Sequence, residues 1–278
     1  MSVAVVTDST AALPAPLLAG LTVVPLTVVI DGVGAQEGVG VAPGAVAEAL
    51  AAGKSVSTSR PTPAAFAEEY ERLLGAGHEA VLSVHLSAKL SGTWESAALA
   101  AKDFAGRVEV IDSGGAGMGL GFPAVAAAGA ASAGADLADV RAAAMSAIER
   151  TTTLFYVDTL EFMRRGGRIG AASAAVGTAL AVKPILGMRD GAVVPLEKVR
   201  TSSRAIARVV ERAFEAVGSH AVDVVVQHAA APERADALAS ALSARLAVRD
   251  RYVGEIGAVL AAHSGPGLVC AVLYRVAP

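Results

Sequence analysis

Short apolar runs alternate with helix-forming segments through the first half of the chain. Four runs have the length and composition of buried strands: Val3–Val6, Leu21–Ile30, Ala80–Leu86 and Val108–Ile111. Pro43–Ala52 and a segment from Thr62 to about Leu74 have helical composition. Strands that alternate with helices predict a parallel sheet with helices on both faces.

The pattern changes after Arg150, where strand-like segments follow one another more closely. Arg189-Asp190-Gly191 predicts a hairpin turn between two apolar runs. Other strands are predicted at Thr153–Val157, Val222–Gln227, Val253–Ile256 and Val269–Val276, and helices at Ser202–Val217 and Pro232–Leu246. We therefore predict an α/β protein of two domains. An N-terminal parallel-sheet α/β domain covers residues 1–150, and a C-terminal α/β domain with a mixed or antiparallel sheet covers residues 151–278.

The remaining segments have turn or helix signals. Gly34–Gly40 is rich in glycine and is predicted to be weakly structured, and the Ser/Pro-rich segment Ser55–Pro63 is predicted to be a loop. Pro123–Arg150 is mostly helical in composition, and Gly166-Gly167 ends a short helix that begins near Asp158.

Composition narrows the class of protein. The 278 residues are 54% hydrophobic but only 4% aromatic, so small aliphatic side chains must build the core. No apolar run reaches the roughly 18 to 20 residues of a membrane span. A single cysteine excludes an intrachain disulfide and a cysteine zinc site, and a net charge of −3 gives no electrostatic case for nucleic acid. We expect a cytoplasmic protein without a metal or cofactor.

A serine-rich turn follows the strand Ala80–Leu86 and precedes helix-forming residues that begin at Trp94. The first amides of a helix have no partner within the helix and favour an anion. Ser91 and Thr93 add hydroxyl donors, and Lys89 adds a positive charge. The alternative is a serine N-cap with a purely structural role.

Three sets of residues partly fit known catalytic or nucleotide-binding motifs. Gly53-Lys54-Ser55 resembles the end of a P-loop, but Glu48 stands where that motif needs its first glycine. The segment from Gly119 to Ala124 fits a dinucleotide fingerprint, yet it lies too far from its strand and is better explained as a flexible glycine loop that leads into a helix. A hydrolase could use Ser91 and His263 with Asp8 or Asp112, although no nucleophile elbow is present.

Several loops together resemble the DegV family, which is similar to the fatty-acid-binding subunit of bacterial fatty acid kinase. The matching segments, in chain order, are Val6-Thr7-Asp8-Ser9-Thr10, Thr58-Ser59-Arg60-Pro61, Ser87-Ala88-Lys89-Leu90-Ser91-Gly92-Thr93, Val110-Ile111-Asp112-Ser113, Asp158-Thr159-Leu160, Gly166-Gly167-Arg168-Ile169, Lys183-Pro184-Ile185-Leu186, Pro195-Leu196-Glu197-Lys198-Val199-Arg200-Thr201 and His263-Ser264-Gly265-Pro266-Gly267. The sequence departs from the family pattern at Arg60, where glutamine is common, and in Gly34–Gly40, which lacks an expected tyrosine and aspartate.

The resemblance implies a carrier that holds a long-chain fatty acid and presents its carboxylate to a separate ATP-binding kinase subunit. The kinase subunit would form acyl phosphate for phospholipid synthesis. The resemblance also allows a transient contact of the carrier with a membrane surface. The implied lipid-binding residues are Thr58, Ser59, Ser91, Gly92 and His263. The sequence leaves open whether Thr58 or Ser59 contacts the carboxylate. Those implied for the partner or for phosphoryl transfer are Arg168, Arg200 and His263.

Each of the charged residues also has a structural explanation. Arg168 follows two glycines and could bind helix-end carbonyl groups. Arg200, Arg204 and Arg208 would form one solvated stripe if a helix began by Thr201. His263 could simply stabilise a Gly/Pro loop.

Overall fold

The computed structural model describes residues 2–169 and 182–276. The strands in these ranges are β1 (Val3–Asp8), β2 (Leu21–Val24), β3 (Thr27–Ile30), β4 (Val33–Gln36), β5 (Val56–Ser59), β6 (Ala80–His85), β7 (Val108–Asp112), β8 (Thr151–Tyr156), β9 (Lys183–Arg189), β10 (Ala192–Val199), β11 (Ala221–His228), β12 (Ala247–Glu255) and β13 (Val269–Arg275). The α-helices are α1 (Pro43–Ala51), α2 (Pro63–Gly75), α3 (Thr93–Ala101), α4 (Met118–Ser132), α5 (Leu137–Arg150), α6 (Glu161–Arg165), α7 (Ser202–Val217), α8 (Pro232–Arg245) and α9 (Ala258–Ser264).

The predicted parallel sheet is present in the first half, with strand order β2-β1-β6-β7 and every pair parallel. Successive residues of a strand point to opposite faces, and β1 shows this clearly. Val3 and Val5 pack in the core that α4 and α5 cover, whereas Ala4 and Val6 pack in the core that α2 and α3 cover. Helices on both faces bury this sheet as the alternating pattern predicts.

A three-stranded antiparallel sheet, with order β4-β3-β5, corrects three predictions about the first 60 residues. The run Leu21–Ile30 is two strands in two sheets, since Pro25 interrupts it. The glycine-rich segment contains β4, and the predicted loop Ser55–Pro63 contains β5. Both strands depend on pairing with β3, so their own composition gives little sign of them.

The second half forms a six-stranded mixed sheet of order β10-β9-β8-β13-β11-β12. All neighbours are antiparallel except β11 and β12. Helices α7 and α8 cover one face, and their core includes Val209, Leu238 and Leu242. The mixed sheet that the sequence predicts is therefore confirmed.

The opposite face of the mixed sheet packs against elements from the first half. Leu26, Val28 and Phe122 share one core with Val272 and Ala258. This shared core places the three-stranded sheet, α4 and α9 around one side of the mixed sheet. The division of the chain near Arg150 stays a prediction. Within the described ranges, no helix is both long and apolar enough to cross a bilayer.

Candidate functional site

A cavity of about 380 Å³ lies where the three-stranded sheet, the mixed sheet and α9 meet the turn formed by residues 87–92, which is called the Ser91 turn below. Its apolar lining includes Leu26, Leu90, Phe155, Met163, Val193, Ile256, Leu260 and Leu268. The polar lining includes Thr58, Ser59, Ser91, Gln227 and His263, and the charged lining residues that the structure describes are Arg60 and Arg168. An apolar chamber with a few hydrogen-bonding groups is the usual form of a small-molecule site.

Thr58 enters the site because β5 is a strand, in which alternate side chains face opposite sides. Thr58 and Val56 are partly buried, while Ser57 and Ser59 are exposed. The Thr58 Oγ1 lies 2.8 Å from His263 Nε2. His263 belongs to the last turn of α9, which ends at Gly265 with φ of 72°. His263 therefore lies in a helix, and the Gly/Pro loop in which the sequence places it begins two residues later, at Gly265.

His263 is held as a neutral imidazole at ordinary pH. Burial lowers the pKa of His263 to about 4, and the neighbouring Arg168 acts in the same direction. The Nδ1 side of the ring faces Gly166, where a Cβ would overlap it. A neutral ring has one donor and one acceptor nitrogen, so an Nε2–H tautomer would donate to Thr58. The Thr58 hydroxyl would then be left to donate its own proton into the cavity.

The lowered pKa predicts a specific pH dependence of stability. Between the unfolded pKa of 6.5 and the folded value of about 4, the unfolded chain binds the extra proton. The free energy of unfolding contributed by His263 therefore falls as pH drops through this window, by up to about 3 kcal/mol. In denaturant titrations at pH 7 and pH 4.5, the wild type should lose about 2 to 3 kcal/mol more than His263→Gln, which cannot titrate. Equal losses would contradict the buried, neutral state of His263.

The Ser91 turn contributes Leu90, Ser91 and Gly92 to the cavity lining. Helix α3 begins at Thr93, its N-cap is Gly92, and no side chain caps it. The Ser91 Oγ instead lies 2.9 Å from the Thr93 Oγ1. Ser91 therefore does not have the structural role of an N-cap. Ser91 directly precedes the N-cap of α3, and the amides of that first helical turn favour an anion.

The two arginines that the resemblance singles out lie in different places. Arg168 lines the cavity, and its guanidinium donates from Nε to the Leu90 carbonyl oxygen at 2.9 Å and from Nη1 to that of Gly166 at 2.5 Å. It thus binds a helix-end carbonyl, as the structural explanation holds, and also fixes the Ser91 turn. Arg200 is exposed in the connection between β10 and α7. Because α7 begins at Ser202, the predicted stripe does not include Arg200.

Sequence reasoning missed Gln227 and Cys270 in the cavity lining. The Gln227 Oε1 accepts from the Met118 amide at 3.0 Å, and its Nε2 donates to the Ala12 carbonyl oxygen at 2.9 Å. Gln227 thereby joins the two halves of the chain. Burial raises the pKa of Cys270 to about 12, so the thiol is inert. Gln227 ends one predicted strand and Cys270 is the second residue of another, and neither apolar run carries a functional signal.

The residues proposed for a hydrolytic triad are not brought together. The Ser91 hydroxyl contacts Thr93, and the His263 ring contacts Thr58. Asp8 instead binds His85, whose Nδ1 lies 2.9 Å from its Oδ2. Ser83 completes this chain at 2.6 Å from His85 Nε2. This Asp–His–Ser order resembles a triad, but the Ser83 and His85 side chains are fully buried and line neither of the two cavities, so the serine is closed to a substrate.

Other matched segments meet outside the cavity. The Asp158 carboxylate binds the Lys183 Nζ at 2.5 Å and the Arg234 Nη1 at 2.9 Å. A Cβ on Gly267 would overlap the same carboxylate. Three matched segments, those that contain Asp158, Lys183 and Gly267, thus meet at one carboxylate, which also binds Arg234 of α8. In residues 2–169 and 182–276, no three His, Cys, Asp or Glu side chains are grouped to hold a metal ion.

A second cavity of about 630 Å³ lies near the carboxyl end of β1 and the segment Glu37–Pro43. Three exposed apolar side chains line it: Leu18, Val23 and Val39. Asp8 lines it, but none of the residues implied for lipid binding or for phosphoryl transfer does. The smaller cavity therefore remains the candidate site.

Comparison with known proteins places these features in a family. The model of the DegV family, described as "Uncharacterised protein, DegV family", matches residues 2–276. A DegV domain-containing protein of Streptomyces coelicolor is 48% identical over 274 residues, which cover 98% of each chain.

Two solved structures are also similar over nearly the whole length. A fatty-acid-binding DegV family protein from Thermus thermophilus is 34% identical with a TM-score of 0.94, over 99% of this chain and 100% of that one. The fatty-acid-binding DegV protein of Bacillus subtilis is 32% identical with a TM-score of 0.89, over the same shares. From its sequence and its fold, this chain belongs to the DegV family.

Proposed function

We propose that this protein binds a long-chain fatty acid in the cavity, with the carboxylate at the end formed by Thr58, Ser91 and His263. The observation that carries the proposal is that one mostly apolar chamber also holds hydroxyl groups, an imidazole and two guanidinium groups. Arg168 binds the Leu90 carbonyl oxygen and Arg60 lies against Gly92, so both guanidinium groups adjoin the Ser91 turn. Thr58 and His263 contact each other in the same lining, and most of the remaining lining side chains are aliphatic or aromatic. The described lining contains no carboxylate that would repel an acid. The solved relatives that bind fatty acids support the same assignment.

The energetics fit such a ligand. Each methylene that leaves water contributes roughly 0.8 kcal/mol, so a chain of about a dozen gives on the order of 10 kcal/mol before the costs of association. A carboxylate cannot enter an apolar site bare, because an unpaired buried charge is costly. Hydroxyl donors beside a helix N-terminus satisfy it.

The proposal extends to what the bound acid is for. The protein presents the carboxylate to a separate ATP-dependent kinase subunit, which forms the acyl phosphate, and has no catalytic activity of its own. Arg168 at the cavity and the exposed Arg200 serve this step, together with His263. The two-domain division near residue 150 and a cytoplasmic location belong to the same proposal. The motif resemblance supports these points.

Native mass spectrometry of the purified protein tests the binding function. We expect a mass increment that matches one or more C14–C18 fatty acids and that exchanges with added palmitate. Incubation with p-nitrophenyl esters or acyl-CoA should give no turnover above background. A Ser91-dependent burst of product would favour the hydrolase instead, because an acyl-enzyme gives that kinetic signature.

A further inference from the structure

Arg60 follows β5 directly and lies across the Ser91 turn. A Cβ on Gly92 would overlap the Arg60 Nη1, so the guanidinium lies against the Gly92 Cα. The backbone of Gly92 has φ of −77° and ψ of 18°, a conformation open to any residue. Glycine is therefore needed here for the space that Arg60 fills and not for its backbone freedom.

The Arg60 guanidinium has no carboxylate partner and makes no side-chain hydrogen bond within residues 2–169 and 182–276. Arg168, the other cation in the described lining, already spends two donors on the Leu90 and Gly166 carbonyl oxygens. Both guanidinium groups thus contact the short stretch Leu90–Gly92, on either side of Ser91. Of the two arginines in the described part of the lining, Arg60 is the one whose guanidinium donors have no partner among the described residues.

We infer that Arg60 is a headgroup-binding residue that makes this protein select ionised acids over neutral lipids of the same chain length. The inference rests on the proposed fatty-acid function and adds a residue to it. The planar guanidinium presents paired donors that match a carboxylate, and a charge-assisted pair adds more than a neutral hydrogen bond. A fatty alcohol gains nothing from the charge, so its affinity depends on the tail and the hydroxyl groups alone.

The test compares palmitate with 1-hexadecanol on wild type and Arg60→Gln. Both ligands are measured by displacement of a dansyl-labelled fatty acid whose own Kd is determined for each variant. Palmitate should bind about tenfold more weakly to Arg60→Gln, while hexadecanol changes by less than about twofold. Arg107→Gln makes the same charge change at an exposed site outside the cavity lining, and we expect it to leave both affinities unchanged.

A second variant checks the geometry. Gly92→Ala should displace the guanidinium and weaken palmitate binding, but in an Arg60→Gln background the same alanine should add little. Equal weakening of both lipids in Arg60→Gln, or no change in either, would overturn the inference. An alanine effect of the same size in both backgrounds would overturn it as well. If the wild-type protein bound neither lipid, the proposed fatty-acid function itself would fail. If the wild-type protein bound palmitate but Arg60→Gln gave one of the contrary results above, only the role of Arg60 would fail.

Discussion

Replacing Thr58 and Ser91 together by alanine is expected to weaken palmitate binding more than any other pair of changes in the cavity. Each hydroxyl contributes a hydrogen bond to a charged group, worth about 1.5 to 3 kcal/mol, so each single variant should lose roughly tenfold to 150-fold in affinity. The double variant should lose less than the product of the two, because both groups hold one carboxylate. Titration with a fluorescent fatty acid measures all three variants.

Ser59→Ala is the matched control for this experiment. Ser59 is the neighbour of Thr58 on β5, but its side chain is exposed and its hydroxyl donates to the Arg60 carbonyl oxygen at 3.4 Å. Both residues border the cavity, but the alternation of the strand favours Thr58 as the proposed carboxylate ligand, and we expect Ser59→Ala to bind within about twofold of wild type. Unchanged affinity in the double variant, or a larger loss in Ser59→Ala than in Thr58→Ala, would contradict the assignment.

Loss of acyl-phosphate formation with little loss of binding is the expected result for Arg200→Ala. The side chain is exposed and lies outside the described cavity lining, so it has no route to the bound tail. Phosphoryl transfer places negative charge on the moving group and on the attacking oxygen, which a fixed guanidinium stabilises. Arg168→Ala should lose transfer too, with up to about a tenfold loss of binding, since Arg168 also anchors the Leu90 carbonyl.

The measurement pairs equilibrium binding with an ATP-dependent acyl-phosphate assay that uses the proposed kinase subunit. Arg204→Ala is the control, because Arg204 is an exposed arginine in the first turn of α7, a few residues from Arg200. It should bind and transfer like wild type. If Arg200→Ala lost binding and transfer in equal proportion, its role in presentation would be wrong.

Most helices and buried strands could be predicted because their signals are local. Ser202–Val217 shows one polar and one apolar face, and α7 has these bounds. The Arg189-Asp190-Gly191 turn has positive φ at Asp190 and Gly191, as a tight hairpin requires. In contrast, β5 is a polar Ser/Thr strand that depends on pairing with β3, so its own serines and the prolines that follow it predict a loop.

The local strand–turn–helix pattern predicts an anion site at the Ser91 turn, but the rest of the candidate site could be predicted only through motif resemblance, because its parts are far apart in the chain. Thr58 and His263 are 205 residues apart and meet only because α9 packs against β5. The contact of Arg60 with Gly92 has no sequence signal, since it depends on the space that a missing Cβ leaves. The sequence also offers Asp8 as a catalytic acid, whereas the fold buries its carboxylate against His85 and far from the partners named for it.

A crystal structure with 16-bromohexadecanoic acid tests the central claim most directly, because the bromine marks the far end of the tail by anomalous scattering. We predict the carboxylate within hydrogen-bond distance of the Thr58 Oγ1 and the Ser91 Oγ. The bromine should lie in the apolar part of the same cavity, among side chains such as Phe155, Val193 and Leu268. A carboxylate placed away from the Ser91 turn, or bromine in the second cavity near Val39, would contradict the account.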